Sequence, residues 1–171
     1  PRMIPYPVTV SIGRPMPPAA QAWQVRQAVM ALSADAFEER KASQRPLHIS
    51  FIRTARRYPG RLCVADSSGA ELTYRRALAA ALMLSRRVRA RLRPEEQMVG
   101  IMLPSSVAAA LMNVAALMAG AVPVNLNFTT PADALESAIA RCGIRTIFTS
   151  EKFLEKIGMP RRDGMVMVEE I

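Results

Sequence analysis

A general base, a nucleophile or a metal site needs histidine, cysteine or clustered carboxylates, and this chain of 171 residues offers few of them. Its one histidine, His48, has no catalytic partner in the sequence around it and reads as a structural or neutral residue at the start of a helix. Cys63 and Cys142 lie far apart with no metal-ligand spacing, and read as reduced, buried thiols. The carboxylates come as adjacent pairs, Glu38-Glu39, Glu95-Glu96 and Glu169-Glu170. Neighbours in sequence splay apart on a helix or a strand, so these pairs read as solvated faces and not as an acid and its base. Ser67-Ser68-Gly69 is the nearest thing to a phosphate cradle, yet its setting between two short strands makes it a hairpin loop. Catalytic residues: none; cofactor-binding residues: none; metal ligands: none. The polar run over 125–129, N-L-N-F-T, is the best candidate for a functional surface. Its amides and hydroxyl can hydrogen-bond a ligand.

That run matters because of the elements that present it. Residues 98–103 read as a buried strand, and Pro104-Ser105-Ser106 opens a helix whose Leu111, Val114, Ala115 and Met118 share a face. Gly120 stops that helix, and 122–126 forms a second strand. Strand, helix and strand with tight connections make a parallel βαβ unit. A helix over 131–142 with Gly143 at its end, a strand over 146–149, a helix over 151–157 and a strand over 165–169 continue the alternation. The reading is α/β, a mainly parallel, doubly wound sheet with helices on both faces. The run over 125–129 then leaves a parallel strand at its carboxyl end, where open α/β sheets bind ligands.

Upstream the pattern changes. Residues 4–12 read as a strand, followed by the proline-rich stretch 14–18. A helix over 19–43 has Trp23, Val25, Val29, Leu32 and Phe37 as its apolar positions, and Gln44-Arg45-Pro46 breaks it. A helix over 47–58 carries Phe51, Ile52 and Ala55 inward. Segments 61–66 and 71–73 flank a four-residue loop as a hairpin. Thr73 then caps a long helix over 74–92 with Leu78, Ala81, Leu82, Ser85 and Val88 toward the core.

Half the residues are hydrophobic and only 5% are aromatic, so Ala, Met, Leu and Val must fill the core. That composition suits helix-rich layers better than a β-sandwich. Met98, Met102, Met112 and Met118 read as core filler. The uncharged stretch 98–126 is not a membrane span, because Pro104, Gly120 and Pro123 break it and Asn113 sits in its middle. The net charge is +9, with arginines gathered in 53–61, 75–93 and 161–162. No aromatic stacking platform accompanies them, so nucleic acid is not an expected partner. A solvated arginine-rich surface, an anionic membrane surface and an acidic carrier protein remain as readings.

The wording of several segments points to one family. L-M-A-G-A-V-P-V-N-L-N over 117–127 resembles the L-K-A-G-A-x-x-V-P-L-N segment of the adenylate-forming, AMP-binding superfamily, which includes acyl-CoA synthetases, luciferases and peptide-synthetase adenylation domains. Val64-Ala65-Asp66 followed by Glu71-Leu72-Thr73-Tyr74 resembles that family's V-A-D…x-L-T-Y hairpin, and 47–57 looks like the helix that leads into it. Within the family, V-N-L-N-F-T over 124–129 resembles the V-N-L-N-Y-T of bacterial acyl-[acyl-carrier-protein] synthetases fused to a lysophospholipid (2-acylglycerophosphoethanolamine) acyltransferase. Phe128 replaces the usual Tyr, and Thr130-Pro131 departs from the commoner small residues. Pro7-Val8-Thr9-Val10-Ser11-Ile12-Gly13 with Pro15-Met16-Pro17 resembles the last strand of such an acyltransferase domain.

The resemblance implies two parts: 1–45, the tail of an acyltransferase domain plus a helical linker, and 46–171, the N-terminal fragment of an acyl synthetase domain. The parent would use ATP and Mg²⁺ to activate a fatty acid as its acyl-adenylate, hand the acyl group to coenzyme A or acyl carrier protein, and deliver it to a lysophospholipid. The expected localisation is cytoplasmic, with the parent associated with the inner membrane. The phosphate loop, the metal-binding acid and the catalytic lysine of the family would all lie beyond Ile171, leaving the isolated chain inactive. The acyltransferase's His-x₄-Asp pair is absent, since Arg53 stands five positions after His48. A strand at 4–12 parted from its home sheet would seek another partner, which makes a homodimer an expectation. The rival reading is a non-catalytic basic α/β module that docks a membrane surface or an acidic carrier protein.

Overall fold

The computed structural model describes residues 10–41 and 44–170. The chain divides into two compact units, Pro1–Arg45 and Pro46–Ile171.

The first unit holds α1 (Ala22–Lys41), which has no buried residue. Of its expected apolar positions, Trp23, Val25, Val29 and Phe37 are exposed. At 3.6 residues per turn Trp23 and Phe37 lie on one side of the helix, and Val25, Val29 and Leu32 on the other, so no single face concentrates apolar area. Leu32 lies against Gly13, where an added Cβ would meet its Cδ1 at 2.7 Å. The strand expected over 4–12 is not found at residues 10–12, which carry no strand pairing. Residues 1–9 lie outside the described residues.

The second unit runs α2 (Leu47–Arg57), β1 (Leu62–Ala65), β2 (Glu71–Thr73), α3 (Tyr74–Arg91), β3 (Met98–Ile101), α4 (Val107–Ala119), β4 (Val122–Asn125), α5 (Ala132–Arg141), β5 (Ile147–Thr149), α6 (Glu151–Ile157) and β6 (Met165–Met167), then a 3₁₀ turn, Val168–Glu170. β1 and β2 form the antiparallel hairpin. β4-β3-β5-β6, in that order, form a wholly parallel sheet. The helix ends follow local chemistry. The Ser106 hydroxyl accepts the Ala109 amide of α4, and the Ser150 hydroxyl accepts the Phe153 amide of α6. Gly120 and Gly158 close those two helices in the left-handed region, at φ 89° and 65°.

One sheet face packs Val99, Ile101 and Phe148 against Met112, Ala115, Ala116 and Ala119 of α4 and Val88 of α3. The other packs Met102, Ile147, Met165 and Met167 against Leu135 of α5 and Phe153 and Leu154 of α6. The uncharged stretch 98–126 is thus β3, α4 and β4. No helix among the described residues is long and apolar enough to cross a membrane. Of the four core methionines, Met102 and Met112 are fully buried and Met98 and Met118 half-buried.

Two sequence expectations fail on α3. Leu82 points to solvent at 47% exposure and Leu78 is only half-buried, while Ala77 is sealed in the core. α3 lies along α4 through Ala77 and Ala81 against Val107 and Leu111, and such close approach selects small side chains. The thiols of Cys63 and Cys142 are free and half-buried instead of buried, and burial pushes the Cys63 thiol up.

β4 is an edge strand. The Val122 and Leu126 amides donate to the Gln97 and Ile101 carbonyls of the β3 side, both at 2.8 Å. By the two-residue repeat, Pro123 has its nitrogen toward the outer edge, where it offers no N–H.

Candidate functional site

The carboxyl ends of the parallel strands define one rim of the second unit. β3 ends at Pro104-Ser105-Ser106, β4 at Asn127-Phe128-Thr129-Thr130, β5 at Ser150, and β6 at the turn carrying Glu169. The strand order reverses direction about β3, since β4 lies on one side of it and β5 on the other. Such reversals leave a crevice above the strand ends.

The candidate run 125–129 lies on this rim, and its polar groups are already engaged. Asn125 closes β4 opposite Ile101. Its carboxamide and that of Asn113, on α4, bond reciprocally: Asn113 Nδ2 donates to Asn125 Oδ1, and Asn125 Nδ2 donates to Asn113 Oδ1, both at 3.0 Å. Asn113 Nδ2 also donates to the Ala109 carbonyl at 2.9 Å. Asn127 closes a turn, its Oδ1 accepting the Thr129 amide at 3.0 Å and the Thr129 hydroxyl at 2.8 Å. The Thr130 hydroxyl donates to the Asn127 carbonyl at 2.7 Å. Phe128 folds inward, edge-on to Phe153 with ring centroids 4.8 Å apart. A tyrosine hydroxyl there would have to leave this apolar contact or find a partner, so phenylalanine fits as it stands.

The rim has residues the sequence reading missed. The Thr149 side chain is fully buried and donates to the Met102 carbonyl at 2.8 Å, tying β5 to β3 just below the rim. Ser150 donates its hydroxyl to Glu169 Oε1 at 2.6 Å, and Glu169 Oε2 accepts the Glu151 amide at 3.3 Å. Partial burial would raise the Glu169 carboxyl. The Ser150 hydroxyl and backbone amides outweigh it and hold the carboxyl below its ordinary range. Glu169 is therefore a helix-capping anion at α6 and not merely one of a solvated pair. Ser150 before an acidic helix start was the one sequence signal for it.

Glu96 corrects the solvated-pair reading more fully. Its Oε1 accepts the Arg145 and Thr146 amides at 2.8 and 2.6 Å, and its Oε2 accepts the Thr146 hydroxyl at 2.8 Å and the Arg93 amide at 3.2 Å. This carboxylate fastens the entrance of β3 to that of β5, at the end of the sheet opposite the rim. Its neighbour Glu95 is exposed and takes a positive φ of 66°. Asp66, in the hairpin, accepts the Ser68 amide and hydroxyl and reaches the Val107 amide at the start of α4. His48 lies in the first turn of α2, its Nδ1 buried and without a hydrogen-bond partner.

Such a rim can hold a ligand by hydrogen bonds and by one anchored carboxylate. Among the described residues no group of three or more His, Cys, Asp or Glu is placed to hold a metal ion. Mg²⁺ is usually held through one or two carboxylates with waters and substrate phosphates, and the carboxylate of this rim, Glu169, is already bonded to the Ser150 hydroxyl and the Glu151 amide.

A family description, AMP-binding enzyme, matches residues 51–169. Solved structures share the fold. An N-terminal subdomain of NpsA from Klebsiella oxytoca, in complex with 3-hydroxybenzoyl-AMSN, superposes with a TM-score of 0.62 at 17% identity, over 72% of this chain and 30% of that one. The nonribosomal peptide synthetase FmoA3 (S1046A) in its AMPPNP-bound form gives 0.62 at 20% identity, over 71% of this chain and 13% of that one. The four-domain nonribosomal peptide synthetase AB3403, bound to AMP and glycine, gives 0.63 at 16% identity, over 74% of this chain and 9% of that one. The chain thus spans less than a third of the length of these structures.

Proposed function

This chain belongs to the AMP-binding enzyme family, and from that premise we propose that residues 46–171 are the N-terminal part of an ATP-dependent ligase that activates a carboxylic acid as its acyl-adenylate. The carboxylate oxygen attacks the α-phosphorus of ATP and pyrophosphate leaves. A thiol then attacks the acyl carbonyl and AMP leaves. The observation that carries this reading is the family match across 51–169, which covers more than half of the chain. The rim described above supplies a scaffold for it. The phosphate-cradling amides, the acid that holds Mg²⁺ and the lysine that stabilises transferring charge would come from chain beyond Ile171.

The finer assignment is to a fatty acyl ligase of the acyl-[acyl-carrier-protein] synthetase kind, with coenzyme A or acyl carrier protein as the thiol and a lysophospholipid as the final acceptor. What supports it is V-N-L-N-F-T over 124–129 and the V-S-I-G-x-P-M-P of residues 10–17. On this reading Pro1–Arg45 is the tail and linker of an acyltransferase domain, the protein works in the cytoplasm at the inner membrane, and the isolated chain can pair with a second copy.

The test is pyrophosphate release. With ATP, Mg²⁺, a fatty acid and coenzyme A, the 171-residue chain should give none above blank. The longer polypeptide that contains it should release pyrophosphate only when a fatty acid is present. Release driven by amino acids or aryl acids instead would overturn the fatty acyl assignment. Turnover by the 171-residue chain that survives repurification would overturn the placement of the catalytic groups.

A further inference from the structure

α3 has six arginines and no acidic residue among its 18 positions. At 100° per residue Arg75, Arg76, Arg86, Arg87 and Arg89 fall on one broad arc together with Leu82 and Met83. All of these are exposed, Leu82 at 47% and Met83 at 66%. The helix cannot roll to hide them, because Ala77, Ala81, Ser85 and Val88 of the opposite face are sealed in the core.

This is not the usual solvated helix surface, which interleaves acids with bases at three- and four-residue spacing. The ion pairs of the described residues, Glu38–Lys41, Glu170–Arg161 and Glu136–Arg162, use none of these arginines. The only acids between residues 47 and 91 are Asp66 and Glu71, and Asp66 is committed to Ser68 and Val107. The face is therefore a strongly positive field, with Glu71 of β2 the one uncommitted acid near its start, and two apolar side chains set inside it.

We propose that the exposed arginine face of α3, with Leu82 and Met83, docks this chain on an anionic phospholipid bilayer. The charges are complementary. Ala79 and Ala90 keep the face shallow over about 24 Å of helix, which suits a flat array of headgroups better than one carboxylate pocket. Apolar side chains among the arginines have a use at a bilayer, where they enter the acyl boundary while the guanidinium groups stay with the phosphates. The inference deepens the lipid side of the proposed function and rests on it only for the presence of a bilayer. Vesicle binding and acid activation are separate measurements, so either can fail alone.

The experiment sediments the full chain with vesicles of phosphatidylcholine, and of phosphatidylcholine with phosphatidylglycerol, at low and high salt. Binding should require phosphatidylglycerol and weaken with salt. Removing four charges by Arg75→Gln, Arg76→Gln, Arg86→Gln and Arg87→Gln should lower the partition coefficient roughly tenfold or more. Removing four elsewhere, by Arg53→Gln, Arg56→Gln, Arg93→Gln and Arg141→Gln, should lower it far less. Leu82→Ser with Met83→Ser should weaken binding by several-fold at unchanged charge. If the fourfold α3 variant loses its helical circular dichroism, Arg86→Gln with Arg87→Gln alone takes its place. Equal losses from the two charge sets, or equal binding to neutral vesicles, would overturn the proposal. So would a poly-glutamate peptide that displaces the chain from vesicles and binds the serine variant as tightly as the parent, since an acidic protein would then be the partner.

Discussion

The Asp66 carboxylate accepts the Val107 amide at 2.9 Å, across 41 positions of sequence. Val107 is the first residue of α4, and Ser106 already satisfies the Ala109 amide of the same turn. Two of the helix's unpaired donors are thus met by two different elements, one of them the β1–β2 loop. A negative charge at that end also suits the helix dipole. The hairpin is in this way bonded to the helix that leads from β3 to β4.

Asp66→Ala should speed hydrogen exchange at the Val107 amide and lower the unfolding temperature, with Asp66→Asn falling between it and the parent. Hydrogen bonds from Ser68, then Val107, hold the Asp66 carboxyl below its ordinary range. A depressed folded-state value means the contribution is present above the unfolded value and is lost as pH falls through the folded one. The gap between parent and Asp66→Ala should therefore close in acid. A gap that widens as pH falls would contradict the assigned role.

Asn113 and Asn125 should behave as a pair. Each alanine substitution alone should cost on the order of 1 kcal/mol, and the double-mutant cycle should show a coupling of about 0.5–1 kcal/mol. Both groups are open to water, which limits the loss. Strictly additive costs would mean the two amides do not depend on each other in solution.

Burial alone would raise the Glu96 carboxyl, but the Thr146 hydroxyl and the amides of Arg145, Arg93 and Thr146 outweigh it and hold it below the usual range. The sign follows as for Asp66: stability from this group is full above the unfolded carboxylate value of about 4.3 and fades below it. Glu96→Gln places an amide nitrogen where the Arg93 amide needs an acceptor. It should cost about 1–3 kcal/mol at neutral pH and flatten the acid side of the stability profile. Denaturant titrations of both proteins over a pH series would read this. Parallel profiles would be the contrary result.

Leu111 is buried with Ala77, Ala81 and Val107 between α3 and α4. Leu111→Ala should cost roughly 2–5 kcal/mol in unfolding free energy. A cost well under 1 kcal/mol would mean that the α3–α4 seam collapses around the loss.

The parallel sheet was readable from sequence because its signals are local. Hydrophobic runs, Ser106 and Ser150 before helices, and Gly120 and Gly158 after them mark the boundaries without help from the rest of the chain. The inward face of α3 was not readable in full. Leucine occurs on both of its sides, and the choice of Ala77 over Leu82 depends on how closely α4 approaches. The bonds of Asp66 and Glu96 escaped for the same reason: their partners lie 41 and 50 positions away. At the rim, position was legible from strand order, but the use of Asn125 and Asn127 as fasteners was not. A carboxamide that binds a ligand and one that holds a turn look alike in sequence.

Pro123 gives the sheet a direction of growth. On the β4 side the edge lacks a donor in mid-strand, so an incoming strand finds a broken ladder there. On the far side β6 pairs only with β5 and has no proline along Met165–Met167. Among the described residues the two edges of the four-stranded sheet are therefore unlike: a strand laid against β4 meets a gap in its ladder at Pro123, and one laid against β6 does not.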